Sequence, residues 1–313
     1  MRISDLGEDG FIGLLGRRFP LVGDDCAVLE GGLLVSVDAL VEGTHFVLSR
    51  FGWRGVATKA ACAGMSDVVA MGGVPEYLFV SLGVSPDAEL SGLEEFYNGV
   101  EEACSAYGCR VAGGDTFKSP LLFVGMSVLG RSEAPALLRS AASPGESLFV
   151  TGFPGTSAVG LEALLEGYPE ELFAPFIERH LFPKLRCEFA SALARRGLCG
   201  AMMDISDGLV VDSWRMAQAS SVCLEIEWEL LPPLSLSQRQ LSLLKGDPWF
   251  YVLHGGEEYE LLFTSSRESE VLEVASATGT PVHRIGRVVE GEGVFVVREG
   301  RRSRVHHRGF SHF

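Results

Sequence analysis

Five short stretches set aspartate at the end of an apolar run beside glycine or serine: "VGDDCAV" (22–28), "VSVDALVEGTHF" (35–46), "GMSDVVAMGG" (64–73), "VAGGDT" (111–116) and "MDISDGL" (203–209). A carboxylate leaving a hydrophobic segment is expensive to bury unless a proton or a cation neutralises it. Asp204 and Asp207, three residues apart around Ser206, also repel one another. A chain with five such sites must either scatter them into solvent or gather them around something positive.

Composition narrows the choice. The 313 residues suit two domains, and 47% apolar content with 38 glycines is a globular pattern. Lys and Arg number 26 against 41 Asp and Glu, a net charge of −15. That balance argues against a nucleic-acid partner, since a phosphate backbone needs cations to replace its counterions. An anionic substrate would have to arrive with metal ions. The longest apolar runs, such as "LLFVGMSVLG" at 121–130, fall short of the roughly 18–20 residues that span a bilayer, so no membrane partner is expected. Seven cysteines without a CxxC pair predict reduced, mostly buried thiols and a cytoplasmic protein.

Hydrophobic periodicity and turn signals predict a helix around 8–18, a strand over "GGLLVSVDAL", and a helix at 54–71 stopped by Gly72, Gly73 and Pro75. Strand "EYLFVSLGV", helix "DAELSGLEEFYNGVEEACSAYG" and strands "CRVAGGDT" and "LLFVGMSVLGR" follow, closing a first domain at 1–135. After the turn-rich "LRSAASPGES", a second domain at 136–313 is expected. It alternates strand "SLFVTG", helices near 156–166, 171–181 and 184–196, strand "GAMMDI", helix 207–219, strand "VCLEIEW", a helix near 237–245, strand "YELLFTS", helix 267–277 and strands "VHRIGRVV" and "GVFVVREG". The fold class is α/β of the α+β type, with mixed sheets flanked by helices in both domains.

Each aspartate taken alone has an ordinary explanation. Ser206 reads as the cap of a helix begun by Asp207, where acidic groups are favoured. That leaves Asp204 at a strand end unexplained. On the helix at 54–71, Lys59, Ala63 and Asp67 share one face among Ala, Cys, Gly and Met, a poor setting for a solvated ion pair. "GVATKA" lacks P-loop spacing, "TGFPGTSAVG" lacks GxGxxG and reads as a helix-start turn, and no D-x-D-x-D-G calcium loop occurs. Together Asp24, Asp25, Asp38, Asp67, Asp115, Asp204 and Asp207 suit several hard divalent cations, with magnesium bridging a polyphosphate.

The order "GDDCAV", "SVDALVEGTHF", "KAACAGMSDVVAMGG", "GGDT", "SPGESLFVTG", "MDISDGL", "GGEEYELLF" and "GFSHF" resembles the thiamine-monophosphate kinases, in the aminoimidazole-ribonucleotide-synthetase-like superfamily. The resemblance implies that fold, a homodimer, and transfer of the ATP γ-phosphoryl group to thiamine monophosphate. It implies magnesium ligands at Asp25, Ser36, Asp38, Asp67, Asp115, Asp204 and Asp207, with Asp204 and Asp207 catalytic through the metal. ATP contacts are implied for Gly114, Asp115, Arg139, Ser206 and Tyr97, and substrate contacts for His45, Glu257 and Phe310. No residue is expected to act as a general base, and Arg139 or Lys59 is a cation able to offset charge between the two substrates. Val37, Gly64 and Glu258 stand where the family usually has Thr, Asn and Asp, and Val37 removes an oxygen ligand for the metal. Two alternatives stay open: a same-fold enzyme acting on another phosphorylated substrate, and a silent protein that binds Mg-ATP without turnover.

Overall fold

The computed structural model describes residues 2–305. After helix α1 (Ile3–Arg18), a first sheet comprises β1 (Ala27–Leu29), β2 (Leu33–Val41), β3 (Val74–Val84), β4 (Arg110–Lys118) and β5 (Phe123–Arg131) in the order β1-β2-β5-β3-β4. Only β3 and β4 run parallel. Side chains alternate along these strands, so Leu34, Leu78, Val80, Val124, Met126 and Val128 are buried against helices α2 (Leu48–Ala70) and α3 (Leu90–Ala106).

The second sheet contains β6 (Ser147–Thr151), β7 (Met202–Asp204), β8 (Cys223–Glu227), β9 (Leu261–Ser265), β10 (Val282–Val289), β11 (Gly293–Arg298) and β12 (Arg301–Arg304). Their order is β12-β11-β8-β10-β6-β9-β7, with β8 and β11 parallel. Helices α4 (Thr156–Glu166), α5 (Glu170–Leu181), α6 (Cys187–Arg196), α7 (Leu209–Ser220), the short α8 (Gln238–Leu241), α9 (Pro248–His254) and α10 (Glu268–Thr278) accompany it.

Helix α2 joins the two layers. From Gly55 to Ala70 every residue is buried except the half-buried Asp67, because α2 packs on β2 and β5 on one side and on β7, α5 and α6 on the other. Such a helix must be apolar or small all round. Gly64 shows why: a Cβ there would lie 3.1 Å from Val128 Cγ2 and 3.4 Å from Met126 Cβ, so a larger residue needs these β5 side chains to give way. One continuous core runs from Leu34 and Val80 to Phe149 and Phe263. All seven cysteines are free thiols, five of them buried. Among the described residues no helix is long and apolar enough to cross a membrane.

Several boundaries depart from expectation. Helix α7 starts at Leu209, not 207, and its N-cap is Gly208. Strand β9 starts at Leu261 because Glu257 and Tyr259 have positive φ of 59° and 50°, which interrupts any strand before them. The helix expected near 237–245 shrinks to Gln238–Leu241, while α9 and β12 were not anticipated.

Candidate active site

Three carboxylates from three elements converge. Asp25 precedes β1, Asp67 lies in the last turn of α2, and Asp204 ends β7; one oxygen from each lies within 4.8 Å of the others. Ser66 Oγ donates to Asp204 Oδ2 at 2.6 Å, Ser36 Oγ donates to Asp67, and Asp25 Oδ2 is buried without a hydrogen-bond partner among the described residues. Burial, reinforced by repulsion from neighbouring carboxylates, holds Asp67 and Asp204 well above the usual carboxylate range. Burial also lifts Asp25 to about 6, against the pull of Arg139. Converging hard oxygens, one of them orphaned, fit a divalent cation of the magnesium type.

Two arginines flank the cluster. Arg139 Nε donates to Asp24 Oδ1 at 3.2 Å and its Nη2 donates to Asp25; Arg215 Nη1 donates to Asp207 and, at 3.0 Å, to Asp212. Asp212 and Arg215 were not singled out from the sequence. Fully buried Asp212 accepts the N–H groups of Ser206, Asp207 and Gly208, each at 3.1 Å, through Oδ2. This corrects the expected cap: the first turn of α7 is held by Asp212, and Ser206 and Asp207 lie in a loop before it. The available signal was an acidic residue in the first turn of the helix after "SDG".

A cavity of about 470 Å³ opens on this loop. Asp38, Asp67, Asp204, Ser206 and Asp207 line its acidic part, Leu40, Phe46, Phe51, Ala158, Leu161 and Leu165 its apolar part, and His45, Glu257 and Tyr259 also face it. Burial raises the pKa of Asp38, with Glu257 and Asp207 adding repulsion. His45 Nδ1 accepts the Val41 N–H at 2.9 Å. The loop after α9 is tied to the 205–208 loop, since Glu257 N–H donates to Ser206 O at 2.6 Å.

Other expected site residues lie apart. Gly114 and Asp115 sit on edge strand β4, whose nine residues are all exposed, and Tyr97 is exposed on α3; none lines the cavity. Phe310 lies outside the described residues. Val37, although its residue borders the cavity, alternates away from Ser36 and Asp38 along β2 and is 73% exposed. Val37 thus stands apart from the Asp25, Asp67 and Asp204 cluster within the single chain. Lys59 is fully buried and does not reach the cavity, which excludes it as a phosphate-facing cation.

Glu258 is turned inward. Its Oε1 accepts the N–H groups of Gly155 (2.8 Å) and Ser157 (3.0 Å), so the helix start in "TGFPGTSAVG" already holds a side-chain carboxyl group. Burial pushes Glu258 up to about 8 from an ordinary 4.5. The native state therefore keeps a proton that the unfolded chain loses, and this group's contribution to stability falls as pH rises from about 4.5 to about 8. Glu258→Gln is expected to melt with the parent at pH 5 and above it at pH 8. Parallel melting curves at both pH values would show that Glu258 is ionised when folded.

The N-terminal domain model of AIR synthase related proteins matches residues 23–132 and the C-terminal domain model matches residues 143–299. The chain is thus an AIR synthase related protein, two mixed α/β domains sharing an acidic cleft. The thiamine-monophosphate kinase of Aquifex aeolicus is 38% identical with full coverage of both chains, and that of Escherichia coli K12 is 35% identical over 93% of this chain and 91% of its own. A solved structure of AaThiL complexed with AMPPCP and TMP superposes with a TM-score of 0.90 at 38% identity, covering 100% of this chain and 99% of that one. The E. coli hydrogenase maturation protein HypE, at 20% identity and a TM-score of 0.69, shares the fold over 88% of this chain and 85% of its own. Within its class the chain belongs to the thiamine-monophosphate kinase family.

Proposed function

We propose that the chain transfers the γ-phosphoryl group of ATP to the phosphate of thiamine monophosphate, giving ADP and thiamine diphosphate, in the cytoplasm. The observation that carries this reading is a single cavity joining an acidic, metal-ready part to an apolar part. A phosphorylated cationic ring compound has the same division. The solved relative bound to AMPPCP and TMP supports it.

Asp25, Asp67 and Asp204 would hold magnesium, with Asp38, Asp207 and Asp115 as further implied ligands and Ser36 acting through its hydrogen bond to Asp67. Bound magnesium supplies charge neutralisation between two phosphate groups. Arg139 and Arg215 keep Asp25 and Asp207 oriented from outside the cluster. The apolar wall of Leu40, Phe46, Phe51 and Leu161 excludes water from the rings of the acceptor. An acceptor phosphate is already ionised at neutral pH, so no side chain has to remove a proton; positioning and charge suffice.

The test is incubation with MgATP and either thiamine monophosphate or free thiamine. Thiamine diphosphate should form from the first, and thiamine should remain unphosphorylated, because an alcohol needs a base. Equal rates on the two acceptors would reject base-free transfer.

Homodimerisation belongs to the same reading. The face of the first sheet opposite α2 leaves Val35, Val37, Phe79 and Leu129 partly or wholly exposed, and β4 ends the sheet with unpaired backbone groups. A second copy covering this side and the β4 edge would also enclose Asp115, which the single chain leaves outside the cavity. Light scattering at micromolar concentration should give twice the chain mass; a monomer mass would exclude it.

A further inference from the structure

Lys59 is a fully buried ammonium that stability alone does not call for. An apolar side chain of similar volume would fill the space between α2, α4 and α5 without desolvating a charge. Its Nζ lies 2.8 Å from Glu257 Oε1, 2.7 Å from His180 Nε2 and 5.3 Å from the centre of the Phe51 ring. His180 Nδ1 in turn lies 2.9 Å from Ser157 Oγ at the start of α4. An ammonium only donates, so Nε2 accepts, and the neutral imidazole keeps its proton on Nδ1 and donates to Ser157. Burial, with the ammonium beside it, holds His180 well below its ordinary value and so keeps it neutral.

This chain of contacts ends on a carboxylate at the cavity wall. Glu257 lines the cavity with a quarter of its side chain exposed, and its Oε2 lies 3.9 Å from His180 Nε2, beyond hydrogen-bond distance. Its backbone sits at φ 59°, a conformation costly for a non-glycine residue. Glu257 also meets repulsion across the cavity from Asp38. The ammonium offsets both and fixes one oxygen of a carboxylate that lines the cavity.

We propose that Lys59 is a positioning residue for the acceptor: held by His180 and Ser157, it clamps Glu257 Oε1 so that Oε2 meets the cationic ring of a phosphorylated acceptor and favours it over an uncharged one. This rests on the proposed use of the cavity for thiamine monophosphate. The probes are thiamine monophosphate and the phosphate ester of its thiazole half, which has a phosphate but no fixed cation. Both are titrated at saturating MgATP against the full-length parent, Lys59→Met, Ser157→Ala and Glu257→Gln.

Losing one partner of a buried charge pair should raise KM for thiamine monophosphate ~10-fold or more in Lys59→Met and Glu257→Gln. Removing a neutral hydrogen bond in Ser157→Ala should raise it about fivefold. In Lys59→Met and Ser157→Ala, kcat and the KM for ATP should stay near the parent values, and in all three variants discrimination against the thiazole phosphate should collapse. If Lys59→Met does not fold, Ser157→Ala and Glu257→Gln decide. Unchanged KM and unchanged discrimination would overturn the proposal, as would a general loss of kcat that follows melting temperature. A parent enzyme active on thiamine monophosphate with unaltered variants overturns this proposal alone; a parent that makes no thiamine diphosphate overturns the proposed function and this proposal together.

Discussion

Asp67→Asn and Asp204→Asn should each lower kcat by about 10²–10³-fold or more, the scale of losing one preorganised electrostatic contact to a transferring group, without lowering the melting temperature of the metal-free protein. Half-buried Asp67 and buried Asp204 each place an oxygen within 4.8 Å of the other and of Asp25, and both are held well above their usual range. In the absence of a cation they work against the fold, so removing one charge should leave stability unchanged or raise it. The hydrogen bonds survive the substitution, since an amide oxygen can still accept from Ser36 Oγ at position 67 and from Ser66 Oγ at position 204. A ligand that binds only the native state raises its melting temperature. Magnesium should therefore stabilise the parent and do so much less in either variant. Near-normal turnover in both variants, or an undiminished magnesium shift, would remove these residues from the metal site.

Local chemistry carried much of this site. Aspartates at the ends of apolar segments marked Asp25, Asp67 and Asp204 individually, and the all-small helix at 54–71 signalled a segment buried on every side. The sequence-based reading of Lys59 as a phosphate-facing cation failed because its partners, Glu257, His180 and Phe51, come from distant segments that only the fold brings together. Asp212 was hidden for a different reason: its three backbone partners are consecutive residues of a loop that resembled the start of a helix. The place of Val37 was legible, since strand alternation already puts Ser36 and Asp38 on one face and Val37 on the other. The inward turn of Glu258 follows from positive φ at Glu257 and Tyr259, a backbone choice with no signal in "GGEEYELLF".

Gly114→Ala is expected to destabilise the first sheet strongly, whatever the residue does toward a nucleotide. Next to Asp115, this glycine reads in the sequence as a place for close approach of a ligand. In the structure the close approach is internal: β4 pairs with β3 so that Gly114 lies opposite Val80, and a Cβ on Gly114 would sit 1.9 Å from the Val80 carbonyl oxygen. Backbone cannot step aside as a flexible side chain can, so β4 must shift on β3. Overpacking of this kind costs about 3 kcal/mol, and for domains of this size that lowers the melting temperature by roughly 6–12 °C. As an edge strand β4 has one hydrogen-bonded neighbour within the described chain, so the parallel pairing itself takes the damage. A thermal melt beside an ATP titration separates the two roles. A large fall in melting temperature with substrate binding retained at low temperature assigns the glycine to sheet packing. An unchanged melting temperature with a raised KM for ATP would instead show that β4 yields at no cost and that Gly114 serves the ligand.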